Sequence, residues 1–88
     1  MKVSCKVKVK NAQGIHARPA SVIVRILQES LSSVYFTCRK ETVNARSIMS
    51  LLTLAASKNS TVLIEVEGDD AENVLKRLQI AFEEKFGE

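Results

Sequence analysis

Residues 2–9 alternate apolar and polar without a break: Val3, Cys5, Val7 and Val9 against Lys2, Ser4, Lys6 and Lys8. A period of two commits this stretch to an extended strand with one face toward a core and the other toward water. Asn11-Ala12-Gln13-Gly14 breaks the pattern, and from Ala17 the period changes. Ala20, Ile23, Val24, Leu27 and Leu31 then fall on one helical stripe, with Ser21, Arg25 and Gln28 off it. Alternation returns at Val34, Phe36 and Cys38. Arg39-Lys40-Glu41 reads as a tight turn without glycine, and Thr42 to Ala45 as a short returning strand.

Ser47 is a candidate N-cap for a short apolar helix carrying Ile48, Met49, Leu51, Leu52 and Leu54. Lys58-Asn59-Ser60 is a break in which Asn59 suits a left-handed backbone. Val62, Ile64 and Val66 form the inner face of a fourth strand. Gly68-Asp69-Asp70 ends that strand and caps a last helix carrying Ala71, Val74, Leu75, Leu78, Ala81 and Phe82. Asp70 and Glu72 suit the positive N-terminal end of this helix, Lys85 its C-terminal turn. The order is β-α-β-β-α-β-α. Three amphipathic helices and a sheet with one polar face define an α+β two-layer, open-faced sandwich, the helices together on one face of the sheet.

A chain of 88 residues, 45% of them hydrophobic, is read as one domain spanning 1–88. The formal net charge of +3 is too mild to demand a nucleic acid, and neither a basic helix nor a stacking platform is present. Lys2, Lys6, Lys8 and Lys10 share one face of the first strand, where Glu65 and Glu67 of a neighbouring strand can absorb part of their charge. No apolar run approaches the length of a membrane span, and the alternating start is unlike a signal peptide. The expectation is a cytoplasmic protein without membrane insertion. Cys5 and Cys38 lack metal-type spacing and lie on the apolar phase of strands, so they read as reduced core thiols.

The chain has one histidine and one proline, both in Gly14-Ile15-His16-Ala17-Arg18-Pro19-Ala20-Ser21, where the second period begins. The first turn of a helix presents unpaired N–H groups and the positive end of the macrodipole. An imidazole placed there favours its neutral, nucleophilic form. A phosphoryl group on it meets backbone N–H groups of the first turn, and Arg18 adds charge-assisted hydrogen bonds. Pro19 loses little in a first turn, and Gly14 permits the bend that delivers the histidine. His16 lies off the apolar stripe and so need not be core. No second histidine, cysteine pair or carboxylate cluster provides a metal site. No carboxylate lies close in sequence to complete a triad with His16; one from a distant segment stays open.

These eight residues resemble the phosphohistidine motif of the HPr family, the histidine-containing phosphocarriers of the phosphoenolpyruvate-dependent phosphotransferase system. Arg46-Ser47-Ile48-Met49-Ser50-Leu51-Leu52-Thr53-Leu54-Ala55 resembles the family's second signature, around a regulatory serine. The resemblance extends over essentially the whole chain. It implies an antiparallel sheet of order 1-4-2-3. It implies that His16 accepts a phosphoryl group on Nδ1 from phosphorylated Enzyme I and passes it to enzyme II A components. Arg18 and the Ala17 backbone N–H would hold that group. No cofactor is implied, and the carrier is expected to be a monomer.

By the same resemblance Ser47 is the position an HPr kinase/phosphorylase modifies. A phosphate there adds about −1.5 to −2 charge. Beside Ile48, Met49 and Leu52, an implied partner surface, that charge hinders docking. Four adjacent helical positions point apart, so Met49 and Leu52 are expected to be at least partly exposed. Three positions depart from the family pattern: Lys40, Ser50 and Asn59 stand where glycine or a small residue is common. They bear on loop geometry and partner preference more than on His16. Two other readings compete with the carrier. One is a regulatory binding protein acting mainly through phosphorylated Ser47, and the other a hydrolase using His16.

Overall fold

The computed structural model describes residues 1–88. Strand β1 (Lys2–Lys8) leads into helix α1 (Ala17–Leu27), then β2 (Ser33–Cys38), β3 (Glu41–Asn44), α2 (Ile48–Leu54), β4 (Thr61–Glu67) and α3 (Ala71–Glu83). A single 3-10 turn, Lys85–Gly87, follows α3. The strands form one antiparallel sheet of order β1-β4-β2-β3, in the expected order of elements.

The sheet has one dry face. Val34, Phe36 and Cys38 of β2 alternate inward, as do Val62, Ile64 and Val66 of β4. These two strands are central, so their inward residues are covered on both sides. Edge strand β1 leaves Val3, Cys5 and Val7 only half-buried. The helices close the dry face with Ala20, Ile23 and Leu27 of α1, Leu51 and Leu54 of α2, and Val74, Leu78 and Phe82 of α3. Phe82 joins the layers: its ring lies 5.8 Å from that of Phe36 and 4.8 Å from that of Phe86. Burying each such ring contributes about 2–3 kcal/mol.

The turns follow the residues available. Arg39 and Lys40 both take positive φ, 50° and 69°, so the β2–β3 hairpin closes without glycine. Asn59 takes φ 72°, the left-handed conformation expected of it. Gly14, at φ 67°, is under a stricter demand: a Cβ there would lie 2.2 Å from the Ala56 carbonyl oxygen. The Ile15 N–H donates to that same oxygen at 2.9 Å. The backbone before α1 is thus pressed against the segment that follows α2.

Several expectations need correction. Leu31 continues the α1 stripe in sequence, but the helix ends at Leu27 and the Leu31 side chain is fully exposed. Periodicity alone carries no stop signal there. Of the basic face of β1, Lys2 meets Glu65 at 3.8 Å, whereas Lys6 and Lys8 face Leu63 and Thr61 across the strand pair and stay in water. Lys10 lies past the end of β1 and pairs with Glu83 of α3. Lys85 falls beyond the last turn of α3, in the 3-10 turn. Asp70 occupies the N-cap of α3 but makes no side-chain cap; its carboxylate accepts instead from the Ser30 and Ser32 hydroxyls.

Candidate functional site

His16 is the N-cap of α1, with extended backbone (φ −90°, ψ −166°) and no side-chain bond to the first turn. Its carbonyl accepts from the Ala20 N–H at 3.0 Å and so starts the helix. The imidazole itself is therefore free for other work. The N–H groups of Ala17 and Arg18, the first two helical residues, have no acceptor within the helix, and Pro19 has no N–H to satisfy. Two amides and the positive end of an eleven-residue helix sit directly after the ring. Arg18 is exposed and its guanidinium makes no hydrogen bond or ion pair, so it is available to an incoming anion.

The ring is partnered from the far end of the chain. His16 Nε2 lies 2.9 Å from Glu88 Oε2 and 3.2 Å from Glu88 Oε1, with the two side chains 32% and 22% exposed. Asn11 Nδ2 donates to Glu88 Oε1 at 3.1 Å and also to the Gly14 carbonyl. Asn11 is buried, and its Oδ1 has no partner. Lys10, Lys58 and Lys85 line the same shallow depression, about 400 Å³ in volume, as His16 and Glu88.

Glu88 is the distant carboxylate that local spacing could not locate. One signal was present: Phe86 lies four residues after Phe82, on the same apolar phase. Both rings are buried, so the chain stays docked past α3 and carries Glu88 back to β1 and α1.

Ser47 begins α2 differently. Its Oγ accepts from the Ser50 N–H at 3.2 Å, so the N-cap expectation holds. On this helix Met49 is 72% and Ile48 38% exposed, whereas Leu52 is half-buried. Arg46, just before the cap, donates to the carbonyls of Leu27, Ser30 and Ser32 and ties the end of α1 to the start of α2. The two cysteines are free thiols. Burial pushes the Cys5 thiol up from its ordinary value, against a smaller opposing effect of a Gln79 hydrogen bond.

Fold and motif together define a class: a small open-faced sandwich with a histidine at an uncapped helix start. Residues 3–84 match the family described as PTS-HPr, the PTS HPr component phosphorylation site. The chain is 45% identical to the phosphocarrier protein HPr of Chlamydia pneumoniae over 80 residues, covering 91% of this chain and 74% of that protein. It superposes on HPr from Thermoanaerobacter tengcongensis with a TM-score of 0.93 at 36% identity, covering 98% and 97% of the two chains. It is also similar to the Bacillus subtilis catabolite repression protein Crh, described as a domain-swapped dimer (TM-score 0.76, 34% identity, covering 94% and 95%). The chain belongs to the HPr family. It is a phosphocarrier of the phosphotransferase system, not a catalyst.

Proposed function

We propose that His16 accepts a phosphoryl group on Nδ1 from phosphorylated Enzyme I and hands it to enzyme II A components. The single observation that carries this is the imidazole at the start of α1, which caps none of the helix's own amides and is set against the unpaired N–H groups of Ala17 and Arg18. The Ala17 N–H and the Arg18 guanidinium hold the phosphoryl oxygens. Transfer of this kind needs positioning and charge stabilisation more than covalent help from the carrier, and the partner brings its own histidine in line. Residues 1–88 act as a single HPr domain, a cytoplasmic monomer that needs no cofactor. No helix is long and apolar enough to cross a membrane. Ile48, Met49 and Leu52 form the partner surface, and the exposure of the first two supports that reading.

Ser47 is the regulatory position, modified by an HPr kinase/phosphorylase. The likeness to Crh supports a second reading, in which regulation through Ser47 is the main role. One experiment separates them. The protein is incubated with phosphoenolpyruvate and purified Enzyme I, and the product is read by intact mass before and after acid treatment. The carrier reading expects one acid-labile phosphate, absent in His16→Ala and retained in Ser47→Ala. Absence of label on the wild type, where a standard HPr is labelled by the same Enzyme I, removes the carrier reading. Light scattering that gives the mass of a dimer overturns the monomer.

A further inference from the structure

We infer that Glu88 is a positioning residue for His16: its carboxylate holds the proton on Nε2, presents Nδ1 as the nucleophile and offsets the charge that the ring acquires on phosphorylation. The inference rests on the carrier reading above. It starts from hydrogen-bond chemistry. An ionised carboxylate has no proton to give, so a contact of 2.9 Å between Glu88 Oε2 and His16 Nε2 requires the proton on Nε2. In the neutral ring the remaining lone pair is then on Nδ1. The carboxylate selects which nitrogen can attack, and it does so from the opposite edge of the imidazole.

The contact is built. Buried Asn11 donates to Glu88 Oε1 at 3.1 Å and to the Gly14 carbonyl, joining the carboxylate to the bend that delivers His16. Phe86, packed on Phe82 at 4.8 Å, anchors the segment that carries Glu88. The Glu88 N–H donates to the Lys85 carbonyl at 3.0 Å and fixes the final turn. Asn11 stays buried there although its Oδ1 finds no partner, a desolvation cost that its two donated bonds offset only in part.

The balance of the step shows what the carboxylate contributes. The Nδ1 lone pair forms the new N–P bond while the P–N bond to the donor's phosphohistidine breaks, its electron pair returning to the donor ring. The proton remains on Nε2 throughout. The His16 ring is now an imidazolium with phosphorus on Nδ1 and a hydrogen on Nε2, and the facing Glu88 carboxylate balances its new charge. When the phosphoryl group leaves for an acceptor, the bond pair returns to Nδ1 and the ring is neutral again. The same contact therefore serves acceptance and delivery.

The test uses the full chain with ¹⁵N-labelled histidine, as wild type, Glu88→Gln and Glu88→Ala. Nitrogen shifts of the neutral ring report the tautomer directly. The wild type is expected to show a single Nε2–H form, and Glu88→Ala a mixture in which the Nδ1–H form is populated. Glu88→Gln keeps an acceptor oxygen but loses the charge, so it retains most of the tautomer preference. In phosphoryl uptake from Enzyme I both variants are expected to lose about tenfold in kcat, with KM within about twofold. Unchanged ring shifts in Glu88→Ala, or kcat within twofold of the wild type in both variants, overturn the inference. If the wild type takes no phosphoryl group, the carrier reading fails, while the ring shifts still decide whether Glu88 sets the tautomer.

Discussion

Helices α1 and α2 begin in opposite ways. Ser47 closes the start of α2 by accepting from the Ser50 N–H, whereas His16 occupies the same position on α1 and leaves the first amides open. A hydroxyl cap is worth about 1 kcal/mol to a helix. At α1 that contribution is absent, and the side chain turns instead to Glu88. The difference teaches where stability and chemistry part. The closed start is good structure, and the open one leaves a positive helix end unneutralised for an anion.

The largest effect should come from the open start. His16→Ala is expected to abolish phosphoryl acceptance and yet leave the urea midpoint nearly unchanged, because no cap is removed. A large loss of stability in His16→Ala would break the comparison. Gly14→Ala tests the backbone behind it: positive φ and the collision with the Ala56 carbonyl should cost about 2 kcal/mol or more. Arg46→Ala tests the tie between the end of α1 and the start of α2. It removes charged donors from three carbonyls and should cost about 2–3 kcal/mol by urea unfolding, with His16 still reactive. Ser47→Ala is the counterpart of His16→Ala. It should cost about 1 kcal/mol and leave phosphoryl acceptance intact.

How legible this was in the sequence depends on the range of the interaction. Alternation in Val3–Val9 and Val62–Val66 and the stripe on α3 were plain, because burial follows the same period as the backbone. The helix start at His16 and the Ser47 cap were also plain, since both are local events. Leu31 misled because it kept the helical phase after the helix had ended. Asn11 and Glu88 were missed for a different reason. Their pairing spans 77 positions, and no local period records it. Arg46 was visible only as a neighbour of Ser47, its carbonyl partners lying 14 to 19 residues earlier.

Helix α3 adds a third kind of start, and with it the smallest of the expected effects. Asp70 stands at its N-cap, yet its carboxylate accepts from the Ser32 and Ser30 hydroxyls and does not cap. Those two bonds, with a weaker attraction to Arg46, hold its carboxyl below the usual value of 3.8. A carboxylate favoured in the folded state stabilises the fold above its unfolded value. That stabilisation is lost as pH falls through the lower folded value. Urea midpoints should therefore decline in the wild type from about pH 4 downward, as this group takes up a proton. In Asp70→Asn the site is neutral at every pH, so this part of the decline should vanish, leaving a shallower acid limb from a lower plateau at pH 7. Equal acid slopes in the two proteins would mean that the Ser30–Asp70–Ser32 contacts do not discriminate charge. Asp70 would then hold the start of α3 to Ser30 and Ser32 through hydrogen bonds that a neutral side chain serves equally well.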